Sequence, residues 1–458
     1  MAIVNIRNRQ ILAIALPSIV SNITVPLLGL IDVAIVGHMG DAVYIGAVAV
    51  GSMIFNLIYW LFAFLRMGTS GMTAQAYGRD NLSSVKAGDE RSDGGRSVVI
   101  ILYRSVCLAL GIAAVVLMTQ YPLKELMFLL IAPTEDVSPV ASTYFYIVVW
   151  AAPASLCLFS LNGWFIGMQN TRIPMIISIT QNVVNIIASL LLVFGMGMKI
   201  EGVALGTVIA QYSGLAAALM LLWYNYHKLL SRYPLAIAQL RMPISFFNIN
   251  RNIFLRTLCL VAVNLYFTSA GARSGAVILS VNAVLMQYYL LFSYFMDGFA
   301  NAGEALCGRF LGARDRISFD DTMRHLVGWA IGMTIVFTLL YATFGTTFAN
   351  VLTDSAEVRM ELKDYIYWAW LLPSAGITAF MFDGVFIGIT ETRGMLLSTM
   401  LASLSFFLVY LGLNHFLQTA LGNHILWLAF TMFLIVRGLV LVVFFNRKFK
   451  LRSVFTNK

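Results

Sequence analysis

Twelve long apolar runs dominate this chain and leave little choice of fold. Each run is about 20 residues or longer, the length that a helix needs to cross a bilayer. Of the 458 residues, 60% are hydrophobic and 11% are charged, whereas a water-soluble chain is about a quarter charged. The sequence predicts an all-α integral membrane protein with twelve transmembrane helices, over residues 11–36, 44–76, 98–118, 140–168, 173–197, 202–224, 253–272, 276–308, 323–347, 360–389, 395–418 and 423–446.

Lysine and arginine are distributed unevenly between the predicted connections. The two ends of the chain and the even-numbered connections hold twenty-one of them, whereas the odd-numbered connections hold four: Lys124, Lys199, Arg273 and Arg359. Cytoplasmic loops of membrane proteins carry the excess of positive charge. We therefore expect a multi-pass protein of the cell (inner or plasma) membrane with both termini in the cytoplasm. Because the basic residues lie between apolar runs, nucleic acid is not an expected partner.

An internal repeat divides the chain into two halves. Residues 162–172 read NGWFIGMQNTR and residues 383–393 read DGVFIGITETR, with six identities in eleven positions. Both segments end the fourth predicted span of a half, and an even number of spans gives both halves the same direction in the membrane. The predicted fold is two six-helix bundles related by a pseudo-two-fold axis along the membrane normal. The predicted parts are an N-terminal bundle (1–224), a cytoplasmic linker (225–252), a C-terminal bundle (253–446) and a basic cytoplasmic tail (447–458).

Two such bundles facing one cavity suit alternating access by rigid-body rocking, which favours a transporter. A channel or a sensor is the alternative from another class of protein. The nucleotide-binding patterns GxGxxG and GxxxxGK[ST] are absent, and the five histidines show no metal-ligand spacing. The chain is thus expected not to be an enzyme and to use no cofactor or metal. Its energy is expected to come from an ion gradient.

Polar residues inside the first span form one group of candidates, because charge at bilayer depth costs about 2.5–3.5 kcal/mol on insertion scales. A stripe at steps of three or four residues comprises Ser18, Asn22, Pro26, Gly29 and Asp32. Pro17 and Pro26 each remove a backbone donor, so the helix is predicted to kink or unwind locally. Asp32 is the candidate cation-binding acid. The alternative is that Asp32 caps a helix end near the outer interface.

A second stripe at the same spacing lies in the fifth span and comprises Ser178, Asn182, Asn185 and Ser189. These side chains are predicted to join Asp32 in a hydrogen-bond network or to line a polar cavity. The alternative is that they bond neighbouring helices to each other, at about 0.6 kcal/mol per hydrogen bond.

The C-terminal half carries further acids. Asp297, Asn301 and Glu304 lie on one face of the eighth span, and Asp383 in the tenth span takes the repeat position of Asn162. We predict that these residues line a substrate cavity or form a second acidic site. The alternatives are that Glu304 pairs with a nearby arginine and that Asp383 caps the cytoplasmic end of its helix. Arginine extends readily to the interface, so a structural role is expected for Arg66, Arg104, Arg256 and Arg437.

Four blocks of the sequence are distinctive: ALPSIVSNITVPLLGLIDVAIVGHMG at 15–40, FLRMGTSGMTAQAYGR at 64–79, MDGFANAGEALCGRFLGARD at 296–315 and DGVFIGITETRGM at 383–395. These blocks resemble the multidrug and toxic compound extrusion (MATE) family, and its DinF-like branch most closely. They are spread over both halves, so the resemblance covers essentially the whole chain.

The resemblance implies a V-shaped pair of six-helix bundles that exports drugs or metabolites in exchange for protons or sodium. Asp32 matches the family's acid implicated in cation coupling, Pro17 its bending proline, and Asn185 an asparagine near that acid. Ser189 stands where many prokaryotic relatives have a second aspartate, which weakens a sodium site built on two carboxylates. The acids of the C-terminal half match acids of the DinF-like branch.

These observations predict a monomeric antiporter that exports amphipathic or cationic small molecules across the lipid bilayer. The expected coupling ion is the proton, with sodium as the alternative. Burial favours the protonated form of a carboxyl group, so Asp32 would bind a proton outside and release it inside. A flippase for a lipid-linked precursor is a further alternative. Arginines facing the cavity would favour the flippase, whereas acids favour the exporter.

Overall fold

The computed structural model of the chain is almost entirely helical. It describes residues 2–37, 42–87, 95–234 and 241–450, without the side chains of residues 2–5, 25–33, 42, 81–87, 416–421 and 449–450. The α-helices in these ranges are α1 (Ala2–Gly37), α2 (Ala42–Leu61), α3 (Phe64–Ala87), α4 (Arg96–Met118), α5 (Gln120–Ile131), α6 (Val137–Val148), α7 (Ala152–Gly167), α8 (Arg172–Leu190), α9 (Ile200–Arg232), α10 (Ile244–Arg273), α11 (Ala276–Gly312), α12 (Arg316–Leu352), α13 (Ala356–Gly388), α14 (Thr392–Leu421) and α15 (His424–Lys450).

The predicted membrane fold is confirmed. In the described ranges, 11 segments are long and apolar enough to cross a membrane. The segment Val43–Asp80 contains most of α2 and α3, the segment Val137–Gly167 contains α6 and α7, and nine others correspond to single helices. The 36-residue helix α1 covers the first predicted span. Each predicted run falls on one of these segments, because each helix must cross the same hydrocarbon layer, although several segments continue seven to nine residues beyond the run.

Contacts between Cα atoms divide the chain into two compact units. Leu16–Phe247 forms one, which we call the N-terminal unit. Met1–Ala15 and Asn248–Lys458 form the other, the C-terminal unit. The sequence-based division assigned residues 1–15 to the first half, so the two divisions differ at the start of the chain.

Polar contacts hold the start of α1 in the C-terminal unit. The Arg7 guanidinium donates to Asp321 at 2.9 Å and lies 4.6 Å from the centre of the Phe310 ring. The Trp329 indole N–H donates to the side-chain oxygen of Asn8 at 3.0 Å. A charge-assisted hydrogen bond and a cation–π contact supply specific attachment that apolar packing alone would not. The periodicity of α1 gives no sign of this attachment, because it depends on residues more than 300 positions away.

The internal repeat is a helix-packing motif in each unit. In the N-terminal unit, a Cβ on Gly163 would overlap the carbonyl oxygen of Arg66, and one on Gly167 would overlap that of Ser70. In the C-terminal unit, Gly384 faces the carbonyl of Ala300 in the same way, and Gly388 faces that of Glu304. Small residues four apart let two membrane helices approach closely, which raises their van der Waals contact. The repeated glycines therefore bring α7 onto α3 and α13 onto α11.

The turn that follows each repeated helix is also the same in both units. Gln169 and Thr390 stand at matching positions and both have a positive φ, 63° and 54°. In each turn the next amide N–H donates to a carbonyl five residues earlier, from Asn170 to Phe165 and from Glu391 to Phe386, both at 2.9 Å. This pattern closes a helix through a left-handed residue and satisfies its last carbonyls. The repeat thus encodes a helix, its packing face and its end.

The short helix α5 was not expected from the sequence. It has 12 residues, which is too few to cross a bilayer. Met127 is buried in the N-terminal unit, whereas Leu126, Leu129 and Leu130 are exposed. Pro122 and Lys124 interrupt the apolar pattern here, so a search for runs of spanning length passes over this helix.

The close approach of α13 to α11 predicts that alanine lowers stability at a glycine of this contact but not at a glycine with open space around it. Gly384→Ala should lower stability by about 1–3 kcal/mol, because its Cβ would overlap the Ala300 carbonyl and the two backbones would have to separate. The matched control is Gly332→Ala in α12, where nothing lies within 4 Å of the added Cβ, and a gain of about 0.5–1 kcal/mol is expected. Thermal unfolding of the purified protein in detergent measures both. Equal melting temperatures for the two variants would contradict this account of the packing.

Candidate functional site

In the N-terminal unit, the polar stripe of α8 binds α1. The hydroxyls of Ser178 and Thr24 lie 3.0 Å apart, and the Asn182 amide donates to the backbone carbonyl of Thr24 at 2.8 Å. Thr24 in turn donates to the carbonyl of Ser21 at 2.7 Å. A side-chain bond to a backbone carbonyl inside a helix is accommodated where that helix has polar neighbours. Ser178 and Asn182 therefore bond two helices, as one of the sequence-based alternatives proposed.

The other two polar residues of the stripe lie deeper, between α8 and α9. Asn185 and Ser189 are both fully buried. The Asn185 amide donates to the Thr207 hydroxyl at 3.4 Å, and Ser189 packs against Gly206, where there is no room for a Cβ. Within the described residues, the Asn185 side-chain oxygen and the Ser189 hydroxyl have no hydrogen-bond partner. Buried oxygen atoms without partners are costly, so this pair differs from the satisfied contacts at Ser178 and Asn182.

The predicted coupling acid lies on the same helix as Thr24. The side chains of Asp32 and Pro26 lie outside the described residues. The helix α1 is continuous through both prolines, from Ala2 to Gly37, so it does not unwind there. Pro17 lies next to the boundary between the two units, which falls between Ala15 and Leu16. A kink at either proline remains a prediction.

The C-terminal unit contains a buried cluster of opposite charges. Asp383 on α13 accepts a hydrogen bond from Arg256 on α10 at 2.5 Å. The same carboxylate oxygen pairs with Arg437 on α15. The two arginine side chains are only 4% and 5% exposed, against 13% for Asp383. One carboxylate oxygen therefore joins three transmembrane helices by binding a guanidinium from each of two of them.

Asp297 on α11 completes the charge balance of this cluster. It accepts a hydrogen bond from Ser293 at 3.3 Å. It is also close enough to act electrostatically on both Arg256 and Arg437. Two guanidinium groups thus face two carboxyl groups, and desolvated charges are tolerated in a bilayer when they are paired in this way.

The two other candidates of the eighth span are buried in the same unit. Asn301 is 8% exposed and Glu304 is 1% exposed. The Glu304 backbone carbonyl lies at the close approach with Gly388, so this residue is part of the contact between α11 and α13. Among the acids of this unit, Glu304 is buried, whereas Asp297 and Asp383 are partly buried. That these residues line a substrate cavity or form a second acidic site stays a prediction.

The expectation for Arg256 and Arg437 was wrong in one respect. Both were expected to extend toward the membrane interface, yet both stay buried because Asp383 binds them. Arg437 lies near the middle of its predicted span (423–446), which could have revealed it, whereas Arg256 lies three residues from the start of its span (253–272) and gave no such signal. The identity of their partner was not accessible from the sequence, since it depends on which helices are neighbours. The repeat partner of Asp383 is Asn162, so the pairing belongs to the C-terminal unit.

Comparisons with known proteins bear on the whole chain. A family model described as MatE matches residues 17–191 and 253–411. DNA damage-inducible protein F of Escherichia coli (strain K12) is 35% identical over 455 residues, which are 98% of this chain and 94% of that protein. A MOP superfamily transporter from Pyrococcus furiosus has a similar structure, with a TM-score of 0.82, 16% identity, and 98% and 97% of the two chains covered. The Vibrio cholerae MATE transporter VcmN in its bent form gives a TM-score of 0.80, 19% identity, and 99% and 100% coverage.

The buried cluster predicts a large loss of stability when its shared carboxylate is removed. Asp383→Asn should cost about 3–5 kcal/mol, because it removes the carboxylate that pairs directly with two buried guanidinium groups and leaves Asp297 as the carboxyl group acting on both. Asp320→Asn is the matched control, since the Arg316–Asp320 pair is about half exposed on both sides, and a loss of about 0–1 kcal/mol is expected. Thermal unfolding in detergent compares the two variants. If Asp383→Asn unfolds at the same temperature as Asp320→Asn, the carboxylate does not hold these helices together.

Proposed function

Because this chain belongs to the MatE family, we propose that it is a secondary active exporter of amphipathic or cationic small molecules that uses proton antiport. The family places the chain among membrane proteins of multidrug efflux and transport. The substrate class, the exchange mode and the coupling ion are the parts that we propose. They rest on the difference in chemistry between the polar sites of the two units.

The observation that carries the proposal is the attachment of a polar face of α8 to α1 in the N-terminal unit. Thr24, which receives the bond from Asn182, precedes Asp32 by eight residues, or about 12 Å along a helix. A proton that neutralises Asp32 would change the electrostatics of a helix that is bonded to α8 at Thr24. Pro17 and Pro26 on the same helix would make bending less costly, because each removes a backbone hydrogen bond.

The charge cluster of the C-terminal unit supports placing the coupling site in the N-terminal unit. Asp383 already has two guanidinium groups on one of its oxygens. A further cation about 4 Å from a guanidinium would be repelled by about 4 kcal/mol at an effective dielectric constant of about 20. We therefore propose that Asp383 serves structure and that Asp32 exchanges the proton.

In the proposed cycle, proton and substrate compete through Asp32. In the outward-facing state, protonation of Asp32 removes its charge, and a cationic substrate then binds less tightly and leaves. Release of the proton to the cytoplasm restores the carboxylate and the affinity for substrate. Linkage requires that each ligand weaken the binding of the other by the same factor.

One observation favours sodium as the alternative coupling ion. The side-chain oxygens of Asn185 and Ser189 are buried and have no hydrogen-bond partner within the described residues. Neutral and charged oxygens are the ligands that hard cations prefer. Ser189 offers a hydroxyl and no charge, so such a site would depend on Asp32 for its negative charge.

A lipid-linked precursor flippase is the second candidate function, and the buried arginines are the observation that bears on it. Arg256 and Arg437 would suit an anionic headgroup if their charges were available. Asp383 and Asp297 balance these charges inside the unit, so the exporter is the better-supported proposal.

Proteoliposomes loaded with a fluorescent cationic drug test the exporter against its alternatives. We expect an inward proton gradient to drive export of the drug against its concentration gradient, because protons entering displace substrate outward. An inward sodium gradient at equal pH is the parallel condition. Export driven by the sodium gradient alone would mean that sodium, and not the proton, is the coupling ion. Failure of both gradients to drive uphill export would reject the exporter and favour a channel or a sensor.

The role of Asp32 predicts how drug affinity depends on pH. In the unmodified protein, affinity should fall as pH falls, by a factor between about 5 and 150, which is the usual range of coupling between two ligands. Asp32→Asn keeps the side chain neutral, so its affinity should be low and independent of pH. Asp320→Asn, at an exposed pair, should behave like the unmodified protein. A variant with Asn at position 32 that still exports with unchanged pH dependence would refute the assignment.

A further inference from the structure

The C-terminal unit contains a cavity that the transport proposal does not use. Its volume is about 380 Å³, and it lies where α10 and α14 end and α15 begins. The distribution of lysine and arginine assigns this side of the membrane to the outside. Polar and aromatic side chains supply much of the lining: Tyr266, Arg273, Ser274, Tyr410 and Asn414.

Arg273 is the charged residue of this lining, and its charge has no acidic partner among the described residues. Its guanidinium donates to the Ser269 hydroxyl at 3.4 Å. The three other basic residues of the outer connections are each matched by a group of the chain: Lys124 by Glu125, Arg359 by Asp354, and Lys199 by the ring of Tyr44. Arg273 thus leaves an unneutralised positive charge at the mouth of a cavity.

The other residues of the lining can contact the uncharged part of an anionic headgroup. The rings of Tyr266 and Tyr410 meet edge to face with centroids 5.5 Å apart. Ser274 and Asn414 add a hydroxyl and an amide, and no acidic residue belongs to the lining. A guanidinium binds phosphate oxygens through directed N–H donors. Tyrosine is a typical residue of the membrane–water interface, where one end of the ring is apolar and the other is hydrated.

An apolar track leads from the cavity into the bilayer. Leu404, Leu408 and Leu411 recur at steps of four and three along α14, so they share one face of the helix. All three are more than half exposed, and Leu411 lines the cavity itself. Since α14 crosses the membrane, this face lies against acyl chains. The cavity and the track together match a molecule with one phosphate and long apolar chains.

We propose that this cavity binds the headgroup of an anionic phospholipid of the outer leaflet. The phosphate contacts Arg273, the glycerol lies against the Tyr266–Tyr410 pair, and an acyl chain follows the leucines of α14. A zwitterionic lipid binds less well, because the lining has no carboxylate to receive its ammonium group. The bound lipid connects α10, α14 and α15 and stabilises the C-terminal unit.

Native mass spectrometry of the full-length protein, titrated with phosphatidylglycerol in detergent, tests the site. The unmodified protein should retain one phosphatidylglycerol and retain phosphatidylcholine less. Arg273→Gln should weaken retention about tenfold, the loss expected for one charge-assisted hydrogen bond. Arg273→Lys should restore part of it, since the charge is kept. Lys124→Gln is the matched control, as it removes an outer cation that already has a partner.

A second measurement separates a lipid from a free anion and from a purely structural effect. Phosphatidylglycerol should raise the melting temperature of the unmodified protein and of Lys124→Gln, but not that of Arg273→Gln. Inorganic phosphate at equal concentration should have no such effect, because it lacks the acyl chain. Equal stabilisation by inorganic phosphate would overturn the assignment to a lipid. Equal retention of phosphatidylglycerol by Arg273→Gln and Lys124→Gln would overturn the site itself.

Discussion

The interior of a bilayer contains no water to bind an exposed polar group, and this constraint explains the polar contacts of both units. A polar side chain on a membrane helix must bond either to its own helix or to a neighbouring one. Thr24 receives Asn182 from α8 in one unit, and Asp383 receives Arg256 and Arg437 in the other. The glycines of the repeat bring α7 onto α3 and α13 onto α11. Helices in a membrane are held together by close backbone contact and by polar pairing, because apolar side chains gain little free energy by moving from lipid to a helix interface.

The two units meet this constraint with different chemistry, although they share a packing motif. At the same position of the repeat, the N-terminal unit has the neutral amide of Asn162 and the C-terminal unit has the carboxylate of Asp383. The amide stripe of α8 is uncharged, so a proton or an ion arriving near it meets no fixed positive charge from that stripe. The carboxylate of Asp383 is already matched by two guanidinium groups. This asymmetry is the physical basis for proposing that coupling takes place in the N-terminal unit.

Much of the fold could be predicted from the sequence, and the failures share one cause. The apolar runs predicted which segments span the membrane, although several helices extend seven to nine residues beyond the predicted runs. The repeat predicted two halves of one design, and its glycines pack in the same way in both units. The short helix α5 was missed because it is only half a membrane thickness long. The buried state of Arg256 and Arg437 was missed because a single helix gives no information about its neighbours. The stripe of α8 was recognised and was expected to reach the first span at Asp32, but its bonds to Thr24 on α1 and to Thr207 on α9 were not predicted.

The sequence by itself determined that the chain crosses the membrane as helices, that its two halves share one design, and that its blocks resemble one family of transporters. These features are local, because hydrocarbon thickness and the period of the helix act on consecutive residues. Only the tertiary structure decided that Asp383 joins α10, α13 and α15 and that the start of α1 belongs with the C-terminal unit. It also decided that Arg273 opens onto a cavity. Each of these depends on side chains that are far apart in the chain and are brought together only when the helices pack.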